Sequence, residues 1–254
     1  MPVVSIILLT HNRAALLASA LASIAQQTFT SFEVVLVNDG STDTTAEVIA
    51  EWQKRLPLKV ITHPASAGIT LSRNEAVQNC SGVFIAFLDD DDRWADPEKL
   101  STQVTWFAEN DSRVLLGGGM IMVDSLSKPI KKVFRPKTDE SIRRTMLFRN
   151  NFFTSTVMVK TKTLRQAGGF VMRSGDFAED YDLWLRVGCL GIMGNMGLIW
   201  AEYRQPIGSQ ALRMRRFLKK QLVLVRQHPR TYPFGLFAKL IIICRLLRTY
   251  VWKS

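Results

Sequence analysis

The chain has 254 residues, 47% of them apolar, which is ordinary for a globular protein and enough to build one sizeable core. Three scattered cysteines (Cys80, Cys189, Cys244) with no CxxC, and three scattered histidines (His11, His63, His228), argue against a disulfide frame, a zinc site or a His-rich metal site. The net charge of +11 is unevenly placed: Tyr203 to Ser254 carries 12 Lys/Arg and no acid, leaving 21 basic against 22 acidic residues before it, so the basicity belongs to the tail and no nucleic-acid-binding groove is indicated.

The first residues, MPVVSIILLTHNR, lack a basic start and a small-residue cleavage site, and read as a strand rather than a signal peptide. Val3 to Leu9 is a continuous apolar run, as in a strand covered on both faces. Leu16, Leu17, Leu21 and Ile24 follow at helical spacing. Glu33 to Val37 is a second strand, and Ser41 or Asp43 can cap the helix after it, which runs to about Trp52. Leu58 to Thr62 is a third strand, Ile69 to Asn79 a helix and Val83 to Leu88 a fourth buried strand. Asp96-Pro97-Glu98 then opens another helix, with Asp as N-cap and Pro in the first turn. This alternation predicts an α/β protein with helices on both faces of a mostly parallel sheet. Beyond Val114 the pattern becomes irregular: Gly117-Gly118-Gly119 interrupts an apolar stretch, Thr156 to Val159 reads as a strand and Asp180 to Val187 as a helix.

In open α/β sheets ligands sit beyond the carboxyl ends of the strands. Thr10, His11, Asn12 and Arg13 follow the first strand. Asn38, Asp39 and Gly40 follow the second, and Asp89, Asp90, Asp91 and Asp92 follow the fourth. Four adjacent carboxylates repel one another and suit a hard cation such as Mg2+ or Mn2+, which can bridge a diphosphate and stabilise a leaving group. The plain alternative is a solvated turn. Asn-Asp-Gly is likewise ordinary turn chemistry, although Asp39 can accept a hydrogen bond from a base N–H. There is no GxGxxG after the first strand and no GxxxxGK[ST], which weakens a dinucleotide dehydrogenase or a P-loop enzyme.

Six segments occur in order: Ser5–Arg13, Val37–Asp43 (VNDGSTD), Ser72–Ala76 (SRNEA), Phe87–Asp92 (FLDDDD), Gly168-Gly169-Phe170 and Glu179–Arg186 (EDYDLWLR). Together they resemble the family 2 glycosyltransferases, over about Val3 to Arg204. The resemblance implies a GT-A fold, three α/β/α layers with a mostly parallel central sheet, to which the residue pattern adds a C-terminal helical tail, and a metal-dependent, inverting transfer of a sugar from a nucleotide-diphosphate donor, by default UDP-linked. It places Thr10 and Asp39 at the nucleotide base, with Asn12 and Arg13 beside them. Arg73 approaches the nucleotide or its phosphates. Asp89 and Asp90 lie at the donor, and Asp91 is the metal ligand for Mn2+ or Mg2+. Asp180 is the catalytic base, and Gly169, Phe170 and Glu179 border the sugar and acceptor. The bland roles are a first-turn acid for Asp180 and a helix-ending turn for Gly168-Gly169. Two departures from the family pattern are Ser66, where an Asn is frequent, and Pro206, near the place of a frequent His. A noncatalytic nucleotide-sugar-binding module is the rival reading.

The expected domains are a catalytic body over 1–205 and a basic amphipathic tail over 206–254. From Ser209 to His228, Met214, Phe217, Leu218, Leu222 and Val225 gather on one side, and Arg213, Arg215, Arg216, Lys219, Lys220 and Arg226 on the other. Phe234 to Trp252 is apolar but interrupted by Lys239, Arg245 and Arg248, so it makes a poor membrane span. The tail is read as an anchor on the anionic inner face of a membrane, in a cytoplasmic enzyme whose acceptor is a cell-envelope glycan or glycolipid. Packing on the body and a homodimer contact are its other uses.

Overall fold

The computed structural model describes residues 1–124, 127–171, 178–204, 210–228 and 232–251. Its elements run β1 (Val4–Thr10), α1 (Ala14–Ala25), β2 (Phe32–Asn38), α2 (Thr45–Trp52), β3 (Leu58–Thr62), α3 (Ile69–Asn79), β4 (Phe84–Asp89) and β5 (Arg93–Trp94). They continue with α4 (Lys99–Ala108), β6 (Arg113–Val123), β7 (Pro129–Val133), α5 (Asp139–Thr145), a 3-10 turn (Thr154–Thr156), β8 (Met158–Lys160) and α6 (Thr161–Gln166). The last are α7 (Glu179–Gly188), β9 (Ile192–Arg204), α8 (Gln210–Gln227) and α9 (Gly235–Val251).

One mixed sheet runs β3-β2-β1-β4-β8-β6-β9-β5, with β7 paired to β6. It is parallel from β3 to β4 and between β6 and β9; β8, β7 and β5 pair antiparallel. Side chains of alternate residues face opposite ways, so each strand serves two cores. Ile7, Val35, Val37, Ile85 and Phe87 face the layer built by α3 and α5 to α9. Val4, Ile6, Leu8, Val34, Leu36 and Leu88 face α1, α2 and α4. That is why these strands read as unbroken apolar runs.

Some boundaries differ from the sequence expectation for visible reasons. The helix expected at Asp96 begins at Lys99, because the Asp96 and Pro97 carbonyls accept from Gln27 Nε2 (2.8 Å) and Thr28 N (3.1 Å) and are pinned to the end of α1. β6 runs through Gly117 to Gly119, where its pairing with β9 shifts register, and the Trp200 ring lies where a Gly118 Cβ would stand, 2.4 Å away. The strand expected from Thr156 is shortened to Met158–Lys160 by the 3-10 turn before it.

The tail corrects a larger expectation. The boundary near 205–208 lies outside the described residues, but α8 is no separate unit. Leu218, Leu224 and Val225 are buried in the same core as α7. Phe217 stacks on Tyr181 with centroids 6.1 Å apart, Gln221 Nε2 donates to Leu147 O (3.0 Å) and Tyr232 Oη donates to Leu185 O (2.8 Å). The apolar face of α8, expected to enter a membrane interface, is covered by the body apart from Met214, which is exposed.

Truncating a side chain at that seam removes core packing. Leu224→Ala should cost about 2–5 kcal/mol in urea denaturation, whereas Met214→Ala, at an exposed position of the same helix, should change stability by less than about 0.5 kcal/mol.

Candidate active site

The β1–α1–β2 and β3–α3–β4 connections run over opposite faces of the sheet: α1 lies in one core layer, α3 in the other. The strand order reverses between β1 and β4, which are direct neighbours, so a crevice opens at their carboxyl ends. There lies a cavity of about 610 Å3, within the usual range for small-ligand sites. Of the residues expected at the site, Thr10, Arg13, Asp39, Arg73, Asp89, Asp90, Asp91, Glu179 and Asp180 all line it.

The four acids after β4 do not act as one cluster. Asp89, at 41% side-chain exposure, pairs with Arg73 Nη2 (2.8 Å). Asp90 and Asp91 share Arg13 Nη1, at 2.8 and 3.0 Å. Asp92 is buried, accepting from Ser155 Oγ and from Arg204 N. Burial raises the carboxyl of Asp90 to about 6, against the pull of Arg13. Burial also raises Asp91, and the like charge of Asp89 adds to it. Asp90 and Asp91 are thus held on one guanidinium at the cavity wall. Among the described residues no group of three or more His/Cys/Asp/Glu has metal-holding geometry. The arrangement suits an ion held by one or two carboxylates and completed by phosphate and water, the habit of Mg2+. The Thr10 hydroxyl lies beside the buried Asp90 carboxylate and favours its charged form.

Arg73 is 5% exposed, at the centre of the site. It pairs with Asp89 at the end of β4 and with Glu179 Oε1 at the start of α7, and it lies 5.3 Å over the Phe170 ring. Glu179 is therefore a bridge to Arg73, with its carboxyl raised by burial despite that arginine. Phe170 corrects an expectation: it is 3% exposed, does not line the cavity and packs edge-on against Phe87. Gly168 and Gly169 both have positive φ and end α6, and a Cβ on Gly169 would stand 2.7 Å from Asn74 Oδ1. Phe170 supports Arg73, and neither it nor the two glycines line the cavity.

Asp180 lies in the first turn of α7 with its carboxylate at the cavity wall. Oδ2 accepts from Asn150 Nδ2 (3.1 Å) and Thr154 Oγ1 (2.9 Å); Oδ1 accepts from Tyr181 N (2.7 Å). Its surroundings raise its pKa, burial outweighing the attraction of Arg73. Ala178 before it holds φ +61°, a left-handed conformation that costs an alanine about 1–2 kcal/mol and turns the chain so that α7 starts at the cavity.

Asp39 is saturated from within the protein. Oδ1 accepts from His63 Nδ1 (2.6 Å) and Ala67 N (2.8 Å), Oδ2 from Ser66 Oγ (2.7 Å) and Gly68 N (3.1 Å). Burial would raise its pKa, yet these bonds hold it well below the usual carboxylate range. The four acceptor positions expected to include a base N–H are thus occupied by the loop 63–68. Ser66 at the departure from the family pattern keeps a bond to Asp39, and Pro206, the other departure, lies outside the described residues. Gly40 has no room for a side chain: φ is +73° and a Cβ would stand 2.6 Å from Ala65 C and Ser66 N. Asn12 does not line the cavity; its Oδ1 accepts from Thr42 N (2.7 Å), so it builds the loop wall.

Sequence reasoning missed Asn150, Thr154, His63 and Glu75. The first two sit in Asn-Asn-Phe-Phe-Thr-Ser, where polar groups interleave with aromatics; nothing local marks His63. Both its nitrogens face carboxylates, Asp39 and Glu75 (2.7 Å), an arrangement that favours the protonated ring, which can donate from both nitrogens.

A sequence model of Glycosyl transferase family 2 matches residues 5–173. An uncharacterized glycosyltransferase of Haemophilus influenzae is 28% identical over 214 residues, 80% of this chain and 65% of that one, so the chain spans just under two thirds of this relative. The Escherichia coli enzyme named UDP-Glc:alpha-D-GlcNAc-diphosphoundecaprenol beta-1,3-glucosyltransferase WfgD is 28% identical over 220 residues, 86% of this chain and 83% of that one. The S. aureus TarS 1-349 structure with UDP-GlcNAc superposes at TM-score 0.72 with 21% identity, over all of this chain and 74% of that one. The mannosyltransferase PcManGT of Pyrobaculum calidifontis, solved with GDP-Man and Mn2+, gives 0.67 at 17% identity, over all of this chain and 76% of that one.

The His63 bridge has a pH signature. Its pKa is raised by the bonds to Asp39 and Glu75, so its stabilisation is full below the ordinary histidine value of about 6.5 and is lost as pH rises through the raised one. The melting temperature of the wild type relative to His63→Gln should therefore be highest near pH 6 and fall as pH rises. A difference that grows with pH would show that the ring is not an imidazolium.

Proposed function

The chain belongs to Glycosyl transferase family 2, a member with a GT-A fold, and from that premise we propose that it transfers a sugar, with inversion, from a UDP-linked donor to a hydroxyl of a cell-envelope glycan or glycolipid. The observation that carries this reading is the position of Asp180 in the wall common to two cavities, the donor crevice and a second cavity of about 370 Å3. An acceptor hydroxyl in the second cavity meets the base on the side away from the diphosphate, as displacement with inversion requires. Asn150 and Thr154 fix the orientation of the carboxylate, and its raised pKa favours proton uptake from the hydroxyl.

In the donor crevice, Thr10 and the Asp39 loop border the base, Asp90 the ribose, and Arg13 and Arg73 supply positive charge to the phosphates. Asp91, with Asp89, fits a Mn2+ or Mg2+ ion. Such an ion supplies charge neutralisation for the departing diphosphate. With an ion held by Asp91, Arg13 would be left to pair with Asp90 and the phosphates. The UDP preference is supported by the WfgD name and the TarS complex, and the use of an ion by the PcManGT complex.

The membrane reading moves from α8 to α9. Among the described residues no helix is long and apolar enough to cross a membrane. Leu236, Leu240, Ile243 and Leu247 form an exposed stripe on α9, with Phe237 and Cys244 beside it and Arg245 and Arg248 exposed near it. An apolar stripe flanked by cations, in a segment without acids, matches an anionic lipid surface. Such a location, at the inner face of the membrane, would bring the acceptor side of the enzyme near lipid-borne glycans.

Asp180→Asn should lower kcat by at least roughly 10²–10⁴-fold while UDP affinity, measured by calorimetry, stays within about twofold of wild type. Near-normal turnover would place the base elsewhere. Because burial raises Asp180, the acid limb of the kcat profile should lie above the ordinary carboxylate range. EDTA should weaken UDP binding, and Asp91→Asn should remove the effect of Mn2+. Leu240→Asp with Leu247→Asp, both at exposed positions, should release the protein from phosphatidylglycerol liposomes in co-sedimentation without changing turnover of a soluble acceptor. Unchanged sedimentation would assign the stripe to a second protein chain.

A further inference from the structure

The second cavity contains a cation that the donor chemistry does not use. Arg135 lies just after β7, with its guanidinium 4.7 Å from the Phe153 ring centroid. It lines the cavity together with Asp180, Asn150, Thr154 and Tyr203. Its Nε is buried and, among the described residues, Arg135 has neither a hydrogen-bond partner nor a carboxylate in ion-pair contact. The nearby carboxylates are engaged elsewhere: Asp89 with Arg73, Asp92 with Ser155 and Arg204 N, Asp180 with Asn150 and Thr154. Burial and the like charge of Arg149 both act against its protonation and lower its pKa. A charged group in such surroundings is costly until an anion joins it.

The chain around Arg135 points the same way. From Lys128 to Lys137 there are five basic residues and no acid. β7 is paired on one side to β6, and Lys131 and Lys132 are exposed along it. This basic ribbon belongs to the body, which as a whole is close to neutral, and is separate from the basic tail. The Phe153 face fixes the plane of the guanidinium, leaving its edge for planar, two-point recognition of an oxyanion.

We infer that the second cavity takes an acceptor that carries a phosphate, with Arg135 binding the phosphate while the sugar hydroxyl faces Asp180. The inference rests on the glycosyltransferase reading of the same site and adds the chemical class of its acceptor. The phosphate is an ester of the acceptor sugar, either a monoester or the diphosphate of a lipid-linked sugar. Arg135 is a specificity-determining residue: it holds the acceptor and takes no part in bond making. The attacking oxygen loses its proton to Asp180, the bond from the anomeric carbon to the donor diphosphate breaks, and the phosphate on Arg135 is unchanged throughout.

The test follows the Nε–H resonance of Arg135 in the full chain by NMR, with and without UDP, assigned by its loss in Arg135→Lys. The probes are glucose 1-phosphate, an undecyl diphosphoglucose, the matching pair built on N-acetylglucosamine, and the neutral undecyl glycosides. The phosphorylated probes should shift the resonance and bind at least tenfold more tightly than the neutral ones. Arg135→Gln should abolish that preference and leave UDP affinity unchanged, and Arg135→Lys should keep part of it. A monoester as effective as the diphosphate assigns the site to a simple phosphate ester; a preference for the diphosphate assigns it to a lipid-linked sugar. A resonance unmoved by every phosphorylated probe, or a preference that survives in Arg135→Gln, would overturn the inference. Loss of UDP binding in the same wild-type samples would count against the donor reading instead, since the Arg135 readout does not depend on UDP.

Discussion

Arg73 carries a full charge at 5% exposure, and the site is arranged around that fact. Removing a guanidinium from water is strongly unfavourable unless carboxylates and hydrogen bonds replace the solvent. Here one carboxylate comes from the end of β4 and the other from the start of α7, elements more than 80 residues apart in the chain. The ion triad therefore does more than neutralise a charge: it sets the distance between the acidic strand end and the helix that carries Asp180. Phe170 closes the triad from below, and Gly169 gives Asn74 the space to hold the Phe170 backbone through N (2.8 Å) and O (2.7 Å). Glu179, Asp180 and Asp89 all raise the Arg73 pKa, so the cation keeps its charge in spite of burial.

The same logic explains why four consecutive aspartates do not destabilise the turn after β4. All four have partners: Arg73 for Asp89, Arg13 shared by Asp90 and Asp91, and the Ser155 hydroxyl with Arg204 N for Asp92. The like-charge repulsion noted in the sequence is real, but the backbone spreads the side chains over two cavities. The raised carboxyls of Asp90, Asp91 and Asp92 record the repulsion and burial that remain. A divalent ion at Asp91 would act on this residue of unrelieved charge.

Legibility in the sequence followed the range of the interactions. β3 and α3 were read at their observed bounds, and the first two strands to within a residue, because apolar runs and turn residues report local structure. The convergence of Thr10, Asp39 and the Asp89–Asp92 run was legible too, since parallel strands put their carboxyl ends on one edge. The partners that hold these residues were not. Asn150 and Thr154 reach Asp180 across 30 and 26 residues, and His63 reaches Asp39 across 24, with no periodicity linking them. Phe170 was misread because its motif neighbours are polar site residues, whereas burial under Arg73 depends on the turn at Gly168-Gly169. Arg135 left no signal beyond its basic neighbours, because an unpaired cation is visible only once its surroundings are known.

The tail shows how amphipathic pattern alone leaves the partner open. A helix with one apolar and one basic side fits a lipid surface and a protein body equally well, and the pattern of Phe217, Leu218 and Val225 is the same in both cases. Packing decides: Phe217 stacks on Tyr181 and also lines the donor crevice. Tyr181 follows Asp180 directly, and its hydroxyl bonds the Met146 carbonyl, so the tail braces the helix that carries the base. α9 then covers the outside of this seam with Ala238 and Ile242 while turning its leucine stripe outwards. One tail thus has two physical roles, set by which face of each helix meets the core. Removing it would disturb the site as well as the surface, because the covered face of α8 and the cavity wall share Phe217.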